Sequence, residues 1–526
     1  MGCNRHLSAG ERRHVVSLGS ALGVVLCGAL AGCSFLIDSK AEQCSSDSDC
    51  TQFGGNPFCR SGVCSGLGPE GCVLGAPQSQ SDYLNACTTA VSVPYNNCHE
   101  LNLGCPDSAV MMPTPAGQMN GTQGATVIPP DPTNLCTDGA PMTGSTPNMV
   151  WLFGSSDFGP ELHAVQKALN LSPTPYRAVF QNATSCAGVN AIFMAPVKMK
   201  DPMPNTGGWA YYFDAAGNQV NCRIEPAGPT PVGVTIDIGI SNLFSQTCNA
   251  TFISGSTVRD YPGPIVPFVL AVKGTSGQSS ISVEAARLVF GNGGHAPAGN
   301  GMRDAVPWTD YKNYYIRNPN AGSTVLTALL IDVPRTQFWG IDRLSTDNLR
   351  DGLLAAMDTP TSGAIGILSI DFYDKNRGNL KALYLQAKGQ KAGFLPDSTP
   401  TTKDKINVRD GHFPLWGYAH MFTQLDALNS PSAAAKAFIL NLSVQAIDQH
   451  LLDDLIDASL TPQCAMKVER TSEIGDFAKR AGVLCGCYFD VKTKGKTDCQ
   501  VCSSAEDCPG KHPCRYGYCE LDEPAQ

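Results

Sequence analysis

The sequence has 526 residues, 42% of them hydrophobic, which is enough for a sizeable core and for more than one domain and excludes disorder throughout. Its 37 Lys+Arg against 46 Asp+Glu give a net charge of −9, with no basic run of the kind that neutralises nucleic-acid phosphates. Nucleic acid is a poor candidate partner.

Residues 1–32 carry Arg5, Arg12 and Arg13, followed by an apolar stretch from Val15 to Ala31. That stretch is short and studded with glycine, so it predicts a signal peptide and not a membrane span. It ends in Leu30-Ala31-Gly32-Cys33, which resembles the bacterial lipobox and implies cleavage before Cys33 and lipid attachment to its thiol. Ser34 follows, which by resemblance to lipoprotein sorting rules favours the outer membrane. The expected location is extracytoplasmic, lipid-anchored to a bacterial membrane. Of the 23 cysteines, Cys3 and Cys27 leave with the signal and Cys33 carries lipid, so 20 remain. An even set outside the cytosol predicts a disulfide framework, without fixing its connectivity. Removing three arginines and one glutamate with the signal leaves a mature charge of −11, so an anion has to be attracted by local dipoles and not by the overall field.

A Cys-rich module is expected over 33–105, opening with Cys44-Ser-Ser-Asp-Ser-Asp-Cys50 and Pro57-Phe-Cys59-Arg-Ser-Gly-Val-Cys64 and continuing as an irregular, cross-linked surface segment through Cys72, Cys87, Cys98 and Cys105. Residues 106–147 are rich in Pro, Gly, Thr and Asn and predict a linker or extended wrapping with Cys136 as its fixed point.

From Met149 the pattern becomes α/β. Met149–Phe153 predicts a buried strand, Gly154-Ser155-Ser156 a turn, and Pro160–Leu171 a helix. Strand Tyr176–Phe180, turn Gln181–Ser185 and a helix from Cys186 repeat the scheme. A polar insertion is expected over Asp201–Cys222. Val232–Ile238 predicts a third strand ending in Gly239-Ile-Ser241-Asn242, and Pro264–Val272 a Pro-flanked strand suited to a crossover or hinge. Ser282 caps a predicted helix to Phe290. Next comes Arg317-Asn-Pro-Asn-Ala-Gly-Ser-Thr, an arginine and turn running into an apolar helix start that Ser323 or a neighbour would cap. Helix Thr346–Met357, strand Gly363–Ile370, strand Ala382–Leu385, a helix capped by Ser430 and helix Asp448–Ala458 follow. This places the α/β domain at 148–460.

The segment 461–526 is a second Cys-rich module, containing Cys502-Ser-Ser-Ala-Glu-Asp-Cys508 and Pro513-Cys514-Arg-Tyr-Gly-Tyr-Cys519. It shares with the first the frame C-S-S-x-x-D-C, then P, then C-R-x-G-x-C. Units so poor in large apolar residues need staples. Zinc is the alternative, but the spacings are wide of the usual knuckle, and no acidic calcium loop is present. Disulfides among Cys44, Cys50, Cys59, Cys64, Cys502, Cys508, Cys514 and Cys519 are expected, with no metal and no cofactor.

Three strand-to-helix turns share one chemistry: Ser155-Ser156, Thr184-Ser185, and Arg317 with Ala321-Gly322-Ser323; Ser241-Asn242 ends a further strand. In an open α/β sheet such loops gather at the carboxyl ends of strands, where N–H and O–H donors can surround an anion. Gly154-Ser-Ser, Tyr176-x4-Gln181-x3-Ser185-x2-Gly188-Val189, Asp237-x-Gly239-x-Ser241, Arg317-x4-Gly322-Ser323 and Gly363-Ala-Ile-Gly366 follow the order seen in the phosphate-binding proteins of ABC transporters, and the chain resembles that family over about residues 148–425. The resemblance implies a two-lobed type II periplasmic binding protein fold, here with disulfide-rich extensions at both termini. It also implies a lipid-anchored receptor for phosphate or a related oxyanion, with an ABC permease as partner. It implies Ser155 or Ser156 as one donor, Ser185 as another, Gly322 N–H with Ser323 as the helix-end cradle and Arg317 as the counter-charge, with Ser241 and Asn242 at the third strand end. Two departures stand out. The family's loop reads Arg-x3-Ser-Gly-Thr, with Ala321 here in the serine's place, and its Ala-Ser-Asp segment reads Ile240-Ser241-Asn242. A surface structural or adhesive lipoprotein is the alternative. No G-x-S-x-G, H-E-x-x-H or P-loop is present, so catalysis is not expected.

Overall fold

The computed structural model describes residues 44, 47–50, 58–60, 63–65, 68–103, 112–117, 121–122, 131–194, 197–201, 208–228, 231–255, 257–359, 362–443 and 447–520. The expected signal segment and the expected lipidation site at Cys33 lie outside them. The chain divides into two compact units, Met1–Glu70 and Gly71–Gln526.

In the first unit, strands Phe58–Arg60 and Val63–Ser65 pair antiparallel, and disulfides Cys44–Cys59 and Cys50–Cys64 staple them. In the second unit the C-terminal copy has the same connectivity, Cys502–Cys514 and Cys508–Cys519. Each joins first to third and second to fourth cysteine, so the shared sequence frame is also a shared covalent frame. All eight sulfurs are consumed, which removes the thiolates a zinc site would need. Further bridges join Cys72–Cys87, Cys136–Cys222, Cys186–Cys248, Cys464–Cys485 and Cys487–Cys499, and Cys98 is disulfide-bonded as well.

The second unit is mixed α/β. Its main elements are β1 (Met149–Ser155), α1 (Gly159–Leu171), β2 (Arg177–Ala183), α2 (Ser185–Phe193), β3 (Ala210–Phe213), β4 (Gln219–Cys222), β5 (Ile238–Ser241), β6 (Val258–Lys273), α3 (Val283–Asn292), β7 (Tyr314–Ile316), α4 (Gly322–Leu330), β8 (Ile341–Asp342), α5 (Thr346–Ala355), β9 (Ile365–Ser369), α6 (Ile370–Lys375), β10 (Leu380–Ala382), β11 (Trp416–Gln424), α7 (Ala433–Leu442), α8 (Gln449–Asp457) and α9 (Gly486–Lys494). The sheet runs β4-β3-β2-β1-β5-β11-β6-β9-β7-β8, with β10 on β6. It has two parallel halves, β2-β1-β5 and β9-β7-β8, bridged by the long antiparallel pair β6 and β11.

The parallel strands are buried on both faces, so they read as continuous apolar runs. In β1, Val150 and Leu152 pack into the main core with Leu162, Val165 and Leu169 of α1. Phe153 points the other way, into a second cluster with Val189 and Ile192 of α2. Backbone approach at the end of β1 is close enough to require glycine. Gly154 has φ +147, and a Cβ there or on Gly188 would lie 2.0 or 2.1 Å from the Ile240 carbonyl oxygen.

Several expectations shift. Strands β1 and β2 run on to Ser155 and Ala183, so the predicted turns begin later. Val232–Ile238 is not one strand: Val234–Thr235 pairs with Lys198–Met199, and β5 starts at Ile238. The insertion 201–222 supplies hairpin β3–β4, which extends the sheet edge. Ala382–Leu385 splits between β10 and Tyr384–Gln386. Ser432, not Ser430, caps α7, its hydroxyl accepting from Ala435 N–H. Segment 72–103 is no mere surface wrapping: Ser92–Val93 pairs with Gly393–Phe394, and Tyr83, Leu84, Tyr95 and Leu101 are buried. These apolar residues lie between cysteines, and the cysteine spacing masked their periodicity.

Candidate functional site

The loops at the carboxyl ends of β1, β2, β7, β8 and β9 meet around a cleft of about 1080 Å³. One wall is Ser156, Asp157 and Asn182–Thr184 from the first half; the other is Arg317–Asn320, Asp342, Leu344–Asn348, Ser369 and Asp371 from the second. Parallel strands send their ends to one side, and β6 and β11 hold the two sets facing each other.

Arg317 follows β7 and lines this cleft. Its Nη1 donates to Thr346 Oγ1 at 3.1 Å, its buried Nε has no hydrogen-bond partner, and no carboxylate forms an ion pair with it among the described residues. Asn318 closes the following turn: its side-chain oxygen accepts from Asn320 N–H at 2.9 Å and its carbonyl from Ala321 N–H at 3.0 Å. Helix α4 then starts with Ala321 at the cap position and no side-chain cap. Ser323 is inside the helix and does not cap it, which corrects that expectation; a methyl group stands where a hydroxyl would satisfy the first N–H groups.

Of the eight residues expected to contact a ligand, Ser156 and Arg317 line the cleft. Ser155, Ser185, Ser241, Asn242, Gly322 and Ser323 are buried beneath it. Several of them touch each other. Asn242 Nδ2 donates to Ser155 Oγ and Asp157 Oδ2, both at 3.1 Å, and Asn242 N–H donates to Ser185 Oγ at 3.3 Å. A Cβ on Gly322 would stand 2.7 Å from Ser185 Oγ and 2.9 Å from Asn242 Cβ. Ser241 Oγ accepts from Leu243 N–H. Asn242 thus spends its amide donors within the chain, and the Ser155, Ser185 and Ser241 hydroxyls serve there as acceptors.

Sequence reasoning missed the acids. Asp157, Asp342, Asp347 and Asp371 line the cleft, although each lies directly beside a motif, helix start or strand end. Burial pushes the Asp157 carboxyl up to about 6, with Asp371 pushing the same way against the pull of Arg317. Burial also raises Asp342 and Asp371. Glu161, one turn into α1, is fully buried with neither oxygen hydrogen-bonded. Burial raises it well above the ordinary range, with Asp371 and Asp157 adding to the shift. Such perturbed groups around one cleft mark a functional-site candidate. The cleft lining contains no histidine, cysteine or lysine among the described residues.

Elsewhere, His412 and His420 are packed inside, His420 against Asp260 at 2.8 Å. Trp308 and Tyr314 are core residues, the Tyr314 hydroxyl donating to the Trp308 carbonyl at 2.7 Å. Asp453 and Asp454 pair with Lys492 and Lys167.

No protein-family model matches the sequence, and no curated protein matches it. Solved structures with a similar arrangement include an ABC-type phosphate transport receptor from Vibrio cholerae, 12% identical, covering 60% of this chain and 100% of that one, TM-score 0.37. A phosphate-binding protein from Stenotrophomonas maltophilia is 12% identical, covering 60% and 90%, TM-score 0.34. A peroxide-bound mutant of OxyR from Corynebacterium glutamicum is 10% identical, covering 62% and 68%, TM-score 0.31. At this similarity, what this cleft can bind is set by its own residues. No helix among the described residues is long and apolar enough to cross a membrane.

Proposed function

We propose that the chain is a lipid-anchored extracytoplasmic solute-binding protein, with two lobes built on the two sheet halves and a cleft that takes a small phosphate-like oxyanion without catalysis. The observation that carries this is Arg317, a guanidinium lining a cleft, without an ion pair among the described residues and with a buried Nε that lacks an acceptor. A planar guanidinium presents donors in the geometry an oxyanion accepts, and a buried donor without an acceptor is costly until a ligand supplies one. In this reading the anion lies against Arg317 and Ser156, above the buried serines, and an ABC permease is the partner that receives it. Asp157 then reads the ligand's protonation, since a carboxyl that titrates at about 6 donates a proton to a full anion or accepts one from its protonated form.

Calorimetry on the purified mature protein with phosphate, sulfate and arsenate tests the reading; micromolar binding is expected, about −8 kcal/mol. Absence of both heat and thermal shift with all three anions would sink it. Arg317→Ala should weaken binding by about 2–5 kcal/mol, and an unchanged affinity would move the site elsewhere.

A second reading, a surface structural lipoprotein on the same scaffold, is favoured by one observation: Ser155, Ser185, Asn242 and Gly322 already satisfy or fill one another. It predicts that no small anion binds and that Arg317→Ala changes nothing but local stability.

A further inference from the structure

The cleft has a charge balance that a bare oxyanion does not satisfy. Among the described residues, four aspartates line it against one cation, Arg317. Asp342 Oδ1 accepts from Leu344 N–H at 2.9 Å, Asp347 pairs with Arg350 at 3.0 Å, and Asp157 Oδ2 accepts from Asn242 Nδ2 at 3.1 Å. Asp157 after β1 and Asp371 after β9 come from opposite halves of the sheet. Asp371 is only 6% exposed, yet its Oδ1 has no hydrogen-bond partner. Its other oxygen pairs with the Lys375 ammonium at 3.5 Å, a side chain that is 64% exposed, and the carboxyl also accepts from the Ser369 side chain and the Phe372 N–H. Behind them, Glu161 is 0% exposed with both oxygens unpartnered.

Buried acceptors without donors cost free energy, and like-charged carboxylates near one another add to it. An ordinary oxyanion placed against Arg317 worsens that balance. A positive group would relieve it. An ammonium has three donors and no acceptor, which suits Asp371 Oδ1 and the Asp157 oxygens. A metal ion fits less well, because no group of three carboxylate, histidine or cysteine ligand atoms within 4.8 Å of one another includes these residues among those described.

We propose that the natural ligand is an ammonium-bearing oxyanion, its anionic end on Arg317 and its ammonium held between Asp157 and Asp371. This rests on the oxyanion reading above and adds a second subsite, which makes the ligand a bridge between the two halves. A ligand that only one half could hold would not draw them together.

The test is calorimetry on the full mature chain at neutral pH with phosphoethanolamine, ethyl phosphate and inorganic phosphate. Phosphoethanolamine should bind roughly tenfold tighter than ethyl phosphate, a gap of about 1.4 kcal/mol, and in Asp371→Asn the ratio of the two should fall to about one. Equal affinities in the wild type, or a preference that survives Asp371→Asn, would overturn the proposal. The same ratio measured in Asp157→Asn decides the matter if Asp371→Asn does not fold. Binding of phosphate without a preference for the amine defeats this inference alone, whereas binding of none of the three defeats the oxyanion reading with it.

Discussion

Replacing Asp157 with asparagine should stabilise the protein at neutral pH and leave its stability unchanged in acid. The carboxyl has an ordinary value of 3.8 and is pushed up to about 6, chiefly by burial. The native state therefore holds its proton more tightly than the unfolded chain does. Below pH 3.8 both states are protonated and nothing is lost. Between 3.8 and about 6 the unfolded chain has ionised while the native state still holds its proton, so stability falls over that interval and levels off above about 6, where both states are charged. The interval from 3.8 to about 6 corresponds to about 3 kcal/mol at neutral pH. Because the side chain keeps some contact with the open cleft, roughly half that figure is a realistic expectation.

Asparagine is close in shape to the protonated acid, and its side-chain oxygen can still accept from Asn242 Nδ2. Urea unfolding of both proteins at several pH values between acid and neutral, disulfides intact, would measure the difference. A stabilisation that grows with pH and vanishes in acid is the expected result. A constant difference, or a variant less stable at neutral pH than in acid relative to wild type, would refute the reasoning, because it would show that Asp157 is held favourably in its charged form.

Glu161→Met should raise the urea midpoint at neutral pH and less so in acid, since it replaces a buried carboxyl without hydrogen bonds by an apolar chain of similar length; a lower midpoint would mean that the acid has a partner in solution. Gly322→Ala should cost about 1–3 kcal/mol by overpacking against Ser185 and Asn242, read in the same unfolding assay. Removing the Cys136–Cys222 bridge, which closes 86 residues, should cost about 4–5 kcal/mol in the chain-entropy picture, and reduced-versus-oxidised unfolding would check it.

How much of this was legible in the sequence depended on which physical signal each element carried. The parallel strands at Met149 and Tyr176, the helix capped by Ser282 and the apolar-spaced helix from Asp448 were readable, because burial on both faces, a capping side chain and helical periodicity leave marks within a few residues. The bridging pair was half legible: the Pro-flanked run at 264–272 was seen, but not that it belongs to the 16-residue β6 or that it pairs with β11. That pairing joins segments far apart in the chain, and local pattern carries no such information. The cysteines could be counted but not connected; only the two repeated modules, by sharing a frame, hinted that they would share a pairing.

At the site, hydroxyl-rich turns drew attention, and the acids beside them did not. The reason is that donors at helix starts have a local logic, whereas a carboxylate becomes informative only once its burial and its neighbours are known. Asn242 shows this most clearly. Read alone, it is a missing acid. In the structure its amide donates to Asp157, so a carboxylate still stands at that point of the cleft, contributed by the end of β1 instead of the end of β5. The departure at 242 and the presence of Asp157 form one local arrangement: an aspartate at 242 would set two carboxylates within hydrogen-bonding distance of each other in a partly desolvated site, which cannot both ionise at ordinary cost. Asn242→Asp should therefore push Asp157 higher and lower stability at neutral pH more than in acid. Asn242→Asp combined with Asp157→Asn should recover most of the loss.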